Sequence, residues 1–398
     1  MNNFVNLKKD LCYGCRACSN ICPTDAITFK NDEYGFSYPQ VDLNLCINCG
    51  KCSFVCNKLN EISCRLPKKA FATSNRNKEV LKRSASGGVF SALADHVLEN
   101  GGAICGCIYD YKLKPIHICA ENNEKVIMMR KSKYAQSDIG FVYREIKNKL
   151  KNGQIVLFTG TPCQVSALYS TLGCDYDNLI TMDLVCHGVP SEMMFQSFLK
   201  YLENKYNTKI KSFDFRSKKY GWQRYTMEFT DDNGRTKNIG KFNEFYHNAF
   251  ISGNIMRPNC FTCKFASPER VADITVGDLW GYESLNLKKC DSKNGISLLT
   301  LNTQKAIDLF PTLEKSLVTE EINYKIAVAR NTCLHSPTKR GEKWDYYMQS
   351  FKDGNIDCVA KQYILKNRKE ILKAKIKLLI PIKLFQIIKK KRQKNSSR

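Results

Sequence analysis

Two stretches near the start of the chain, CYGCRACSNICP and CINCGKCSFVC, repeat one cysteine pattern: Cys12, Cys15, Cys18 and Cys22, then Cys46, Cys49, Cys52 and Cys56. Each run reads C-x2-C-x2-C-x3-C, a spacing that wraps three thiolates around one [4Fe-4S] cube and sends the fourth to its neighbour. The expected ligand sets are therefore Cys12, Cys15 and Cys18 with Cys56, and Cys46, Cys49 and Cys52 with Cys22. C-x2-C pairs also suit tetrahedral Zn2+. Two runs with the same three-plus-one spacing favour iron-sulfur, and with it one-electron transfer. Pro23 follows the first run as the pattern expects, whereas Asn57 holds the equivalent place after the second.

Further along lie Cys163 in GTPCQ, Cys186 in VCHG, and Cys260 and Cys263 in NCFTCKF. The first two follow strand-like runs and the last two occupy a loop, so all four could converge at one end of a sheet and hold a third cluster. Spacing alone leaves four unrelated core cysteines as the alternative. The turn SASGG before a helical run could aim free backbone N–H groups at a phosphate, or Ser84 or Ser86 could cap the helix. Arg130, Lys131, Lys133, Tyr134, Gln136 and Ser137 in RKSKYAQS suit a pyrophosphate or a solvated basic loop. His187 could move protons beside a redox centre or serve as packing, and Asp278 in VGDLWG could cap a turn. Cys64, Cys105, Cys107, Cys119, Cys174, Cys290, Cys333 and Cys358 form no ligand grouping by spacing.

The elements that must carry these residues can be read from periodicity. Residues 1–62 form a ferredoxin-like unit, and the polar stretch 63–83 reads as a linker. From Ser84 helical and strand patterns alternate: Val89, Phe90, Leu93, Ala94, Val97 and Leu98 share one helical face, and Gly101 and Gly102 stop it. AICGCIY, IVLFT (155–159) and LITMDLV (179–185) read as strands; helices follow GTPC, closed by Gly173, and Pro190. Between Ser212 and Ile239 the pattern becomes hairpin-like around Asn233-Gly234, and VADITVGDLWG is a last β-rich run. The expected fold is mixed α/β (α+β): a bis-cluster ferredoxin-like domain, an α/β core in parts 84–158 and 159–358 with an antiparallel portion, and a basic helical tail over 359–398.

With 398 residues and 43% apolar content, several globular units can be buried. Twenty cysteines without a secretory start argue for ligands or reduced thiols and against a disulfide scaffold. No run reaches the roughly 18 apolar residues of a membrane span, so the chain reads as cytoplasmic. The net charge of +24 is uneven: from Lys361 to Arg398 fourteen Lys or Arg face one acid, Glu370. Leu365, Leu372, Ile376 and Leu379 recur there at helical spacing up to Pro381. Such a tail suits an anionic membrane face (a peripheral contact), an acidic protein or, less well, nucleic acid; a solvated helix is the alternative.

Taken in order, SASGGVFSALADHVLENGGAICG, RKSKYAQSDIG, VLFTGTPCQVSAL, DLVCHGVPS and CFTCKFASPERVADITVGDLWG resemble the beta subunit family of coenzyme F420 hydrogenases and dehydrogenases, over about residues 70–335. The resemblance implies FAD, an iron-sulfur cluster on Cys163, Cys186, Cys260 and Cys263, and FAD contacts among Ser86, Gly87, Gly88, Lys131, Ser132, Lys133 and Gln136. It implies an oxidoreductase that passes electrons between a carrier such as ferredoxin and an organic substrate or deazaflavin coenzyme, in either direction. A plant chlorophyll reductase branch shows that the scaffold serves more than one substrate. A non-catalytic electron-transfer subunit, or a membrane-surface or nucleic-acid module with structural clusters, are the alternatives, and a homo-oligomer stays open.

Overall fold

The computed structural model describes residues 8–61, 63–240, 242–290, 293–381 and 384–385. The N-terminal unit contains the antiparallel hairpin β1 (Ile27–Asn31) and β2 (Ser37–Val41), flanked by the short helices Ala17–Ile21 and Lys51–Phe54. Both cysteine loops turn the same way: Gly14 and Asn48 hold φ of 64° and 53°, and Arg16 and Gly50 hold 65° and 72°. Those left-handed residues between cysteines bend the backbone back on itself, and the two copies share one path although only two of the four positions are glycine.

The remaining strands are β3 (Lys69–Asn75), β4 (Ala103–Tyr109), β5 (Pro115–Ala120), β6 (Val156–Gly160), β7 (Leu179–Leu184), β8 (Ile210–Ser217), β9 (Thr226–Asp231), β10 (Thr236–Gly240), β11 (Ile274–Asp278), β12 (Ser297–Leu301) and β13 (Leu317–Glu321). Eight of them form a sheet in the order β13-β3-β12-β11-β7-β6-β4-β5. Its centre, β4-β6-β7-β11, is parallel, and the flanking pairs are antiparallel. The period of two sends Leu157 to one face, against the helix Val89–Glu99, and Val156 and Phe158 to the other, against the helices Val142–Lys151 and Pro162–Leu172. With both faces covered, β6 and β7 read as the apolar runs the sequence shows.

The second sheet, β10-β9-β8, is antiparallel and turns at Asn233-Gly234 as expected. It closes over an aromatic core of Phe195, Phe198, Phe213, Phe215, Phe245 and Tyr246, which the helices Glu192–Tyr206, Phe245–Ile251, Trp344–Lys352 and Ile356–Lys366 complete. Among the described residues no helix is long and apolar enough to cross a membrane.

Three expectations are corrected. Residues 63–83 are no linker, because β3 pairs with both β12 and β13 inside the large sheet. Cys105 and Cys119, directly opposite each other on β4 and β5, are joined by a disulfide, so not every cysteine is a ligand or a free thiol. Neither Ser84 nor Ser86 caps the helix Val89–Glu99: their hydroxyls donate to the carbonyls of Val80 (2.7 Å) and Ile296 (2.9 Å), and Gly88, at φ 79°, is the N-cap.

Candidate metal and cofactor centre

In the N-terminal unit Cys12, Cys15, Cys18 and Cys56 lie within electrostatic reach of one another. Burial pushes the Cys15 thiol up to about 12 and raises the Cys18 thiol too, and the charges of Cys12 and Cys56 add to both rises. Cys22, Cys46, Cys49 and Cys52 line a separate small pocket. There burial of Cys22 is outweighed by hydrogen bonds from the backbone and hydroxyl of Thr24, and its thiol is lowered. Among the described residues no group of three or more His, Cys, Asp or Glu is drawn together tightly enough for a single metal ion. A cube of four irons spreads its thiolates further apart than one ion does.

The first set is fixed to the core by side chains from the loops at Gln136 and Arg257 and from the helix Val142–Lys151. Arg257, 1% exposed, donates through Nε to the Cys12 carbonyl (2.7 Å), through Nη1 to Gln136 Oε1 (2.9 Å) and through Nη2 to the Ser37 carbonyl (3.0 Å). Gln136 in turn donates to the Tyr13 carbonyl at 2.9 Å. Arg144 reaches the carbonyls of Ser19, Asn20 and Cys22 at 2.7–2.8 Å, and the Tyr143 hydroxyl lies 3.1 Å from the Cys15 carbonyl. Asn57, the residue that breaks the motif, is 2% exposed; its amide donates to the Cys163 carbonyl at 2.9 Å and accepts from the Ser166 hydroxyl at 3.1 Å.

Cys163, Cys186, Cys260 and Cys263 converge, as the strand ends imply. Cys163 stands in the first turn of the helix after β6, Cys186 follows β7, and the other two lie in and just after the short 3-10 turn Pro258–Thr262. The loops are pinned to one another: Arg257 N–H donates to the Val189 carbonyl at 2.9 Å, and a Cβ on Gly188 would stand 2.5 Å from Met256 Sδ. Arg270, 1% exposed, pairs with Asp183 at 3.1 Å and holds the following loop to β7. Burial raises all four thiols, Cys260 to about 12; Cys163 also feels Cys263, Cys186 and, from the N-terminal unit, Cys15. Tyr13 bridges the two sets, buried against Phe265 at 5.4 Å with Cys163 and Cys263 close to its hydroxyl.

These four cysteines border a cavity of about 450 Å³ outside the carboxyl ends of the parallel strands, the usual place for a ligand in an α/β sheet. Of the expected FAD contacts, Ser86, Gly88, Lys131, Ser132, Lys133 and Gln136 line it. Gly87 is absent from the lining, and a Cβ there would stand 2.3 Å from the Thr73 carbonyl, which makes it a close-packing residue. Lys131 is paired with Asp214 and Gln136 with Tyr13 and Arg257, whereas Lys133 bonds only carbonyls, of Arg130 at 3.1 Å and Met129 at 3.5 Å. The helix Val89–Glu99 starts on the cavity without a side-chain cap, and Ser91 in its first turn carries a buried hydroxyl with no partner.

Sequence reasoning missed several lining residues. Arg216, a buried residue of β8, grips Asp278 through both terminal guanidinium nitrogens (2.8 and 3.1 Å) and leaves its Nε without an acceptor. Asp278 thus anchors a buried arginine instead of merely closing a turn. His117 donates from Nε2 to the Thr159 carbonyl at 3.1 Å, which leaves Nδ1 bare; burial holds its pKa down at about 4. His187 lies 3.0 Å from the Ile251 carbonyl and 3.5 Å from the buried Cys333 thiol, and burial lowers its pKa too. Arg216 was visible only as one basic residue in a β-rich run, and Cys333 only as an isolated cysteine.

Comparison with known proteins finds three family models along the chain. Residues 153–325 match the C terminus of the coenzyme F420 hydrogenase/dehydrogenase beta subunit, residues 70–142 match the N-terminal part of that same protein, and residues 11–59 match a 4Fe-4S dicluster domain. An uncharacterized protein of Methanocaldococcus jannaschii is 26% identical over 220 residues, 45% of this chain and 59% of the relative. The coenzyme F420-dependent sulfite reductase of the same organism is 27% identical over 188 residues, 46% of this chain and 28% of the relative. The chain thus spans less than two thirds of either curated relative. A chain of the F420-reducing [NiFe] hydrogenase complex from Methanosarcina barkeri superposes with a TM-score of 0.44 at 17% identity, covering 77% of this chain and 94% of that one.

Proposed function

The chain belongs to the beta subunit family of coenzyme F420 hydrogenases and dehydrogenases, and from that premise we propose that it is an iron-sulfur flavoprotein oxidoreductase working between a protein carrier, such as a ferredoxin, and an organic two-electron partner. A deazaflavin of the kind named for the sulfite reductase relative is one candidate for that partner. The observation that carries the reading is continuity: the outer cysteines share packing with the inner ones through Cys18 and Cys52, Cys15 lies within electrostatic reach of Cys163, and Cys163 borders the cavity. [4Fe-4S] clusters supply one-electron transfer, and FAD supplies exchange between one-electron and two-electron chemistry.

The chain's own residues fit those groups. Cys163, Cys186, Cys260 and Cys263 offer four thiols at a buried site whose loops are held by Arg257 and Arg270. Ser91, the open N-terminus of Val89–Glu99 and Lys133 offer a hydroxyl, free N–H groups and a cation to a pyrophosphate. Arg216 Nε and His117 Nδ1 place one free donor and one free acceptor on the same cavity, enough to orient a polar heterocycle. Burial excludes water from the thiols and strengthens each of these contacts.

Anaerobic purification with iron, sulfide and flavin counted per chain tests this. Three clusters require about twelve irons, and Cys163→Ser should lower the count to about eight while flavin stays bound. A colourless, zinc-bearing protein without flavin would overturn it. A second reading, an electron-transfer subunit whose substrate site lies on a partner, is favoured by the open outer site, where Cys49 is exposed beside Ile47 and Phe54. Turnover of a small organic acceptor by the isolated chain rules that reading out.

A further inference from the structure

We propose that the C-terminal helix docks the protein in the plane of an anionic lipid bilayer, a role independent of the redox reading. The helix Arg368–Leu379 has two apolar sides. One is used inside the molecule, where Ile371, 8% exposed, joins the aromatic core. The other is bare: Leu372, Ile376 and Leu379, at positions i, i+4 and i+7, are 59%, 53% and 83% exposed, and Leu365, on the preceding helix Ile356–Lys366, is 70% exposed. Lys369, Lys373 and Lys377 follow one flank of that stripe and Lys375 the other, by helical spacing.

The helix does not hang loose. Arg224, itself 7% exposed, donates from Nη1 to the carbonyls of Lys377 (2.8 Å) and Ile380 (2.6 Å), and so meets the unsatisfied acceptors at the helix C-terminus. The stripe is therefore presented in a fixed direction by the folded protein. An apolar line flanked by cations fits the boundary between acyl chains and acidic headgroups. A nucleic-acid backbone would use the lysines and have no use for the leucines. Twelve residues rise about 18 Å, too short to span the roughly 30 Å hydrocarbon layer, so the helix lies along the surface. From Lys361 to the end of the chain fourteen Lys or Arg against one acid supply the matching field.

Flotation of the full-length protein with vesicles of equimolar phosphatidylglycerol and phosphatidylcholine tests the proposal, with pure phosphatidylcholine as the neutral control. The protein should float only with the anionic vesicles, and about 0.5 M salt should weaken this strongly. The triple variant Leu372→Ser, Ile376→Ser, Leu379→Ser should lose binding by roughly tenfold or more. Lys373→Gln and Lys377→Gln should each weaken it by about fivefold. All these side chains point to solvent, so iron content and the unfolding midpoint should not change, which separates lost docking from lost folding. The proposal is overturned if the protein stays at the bottom of the gradient with anionic vesicles. It is equally overturned if the triple serine variant floats as well as the parent, which would leave charge adsorption alone.

Discussion

The two copies of the cysteine motif have the same spacing and the same backbone path, yet the molecule treats them differently. The inner set, Cys12, Cys15, Cys18 and Cys56, is clamped by Arg257, Gln136, Tyr143 and Asn57, and its buried thiols are pushed up. The outer set keeps Cys49 exposed, and Leu43, Leu45, Ile47 and Phe54, close to it in sequence, are 51–77% exposed. The ligands do not make this difference; the residues between and behind them do. One copy is built to face the core, and the other to face whatever lies outside.

The strongest break in that contrast should come from Arg257. Arg257→Met keeps most of the volume over Tyr38 and removes three hydrogen bonds, which leaves the carbonyls of Cys12 and Ser37 and the Gln136 amide oxygen buried without a donor. The expected loss is roughly 3–5 kcal/mol of stability, read as an unfolding midpoint. Hydrogen exchange should rise around Cys12–Cys18 well before it does around Cys46–Cys52, because the outer loop has no share in the clamp.

Acid should act on the same inner side. Burial holds His117 at about 4, below its ordinary 6.5, so the unfolded chain takes up a proton in that interval that the folded chain refuses. The stability tied to this ring is present above pH 6.5 and lost as pH falls to about 4, about 3 kcal/mol in all. Denaturant unfolding at stepped pH should show a slope shallower by about one proton in His117→Gln, which keeps a donor for the Thr159 carbonyl. Equal slopes would mean that the ring titrates normally.

A smaller and more pointed effect concerns Asn57. Restoring the motif with Asn57→Pro makes the second run look more like the first, yet it removes the amide that bonds the Cys163 carbonyl and accepts from Ser166. The expected cost is about 1–3 kcal/mol. Spectra of the outer site should be unchanged, and those of the inner site and of the proposed third cluster should shift together. A stabilised protein would mean that the asparagine is incidental.

What the sequence made legible follows the range of the interactions involved. The cysteine spacing, the strand-turn-helix around Cys163, the helical face from Val89 to Leu98 and the Asn233-Gly234 hairpin are local, and the structure has each of them in place. The strand β3 was illegible because KAFATSN looks polar, and it becomes a strand only through β12 and β13, more than 220 residues away. The Cys105–Cys119 disulfide depends on the register of β4 against β5, which cysteine spacing does not encode. Ser84 and Ser86 looked like caps because serine commonly is one, but the carbonyls of Val80 and Ile296 claim their hydroxyls first. Arg257 carried no local signal at all: its partners come from residues 12, 37 and 136.

The mildest change should be the most selective. Leu45→Ser, Ile47→Ser and Phe54→Ser together alter only exposed side chains around the outer cysteines, so stability should move by no more than about 0.5 kcal/mol and iron content should hold. Exposed apolar groups beside a redox-active site matter chiefly when another protein covers them. Reduction by dithionite, which needs no docking, should proceed at the parent rate, while reduction by a protein carrier should slow by roughly tenfold, mostly through weaker association. The same substitutions have no counterpart at the inner site, where Tyr13 and Asn20, at the motif positions of Ile47 and Phe54, are buried. If dithionite and the protein carrier slowed equally, the outer loop would be serving its own cluster and not a partner, and the contrast between the two copies would lose its functional meaning.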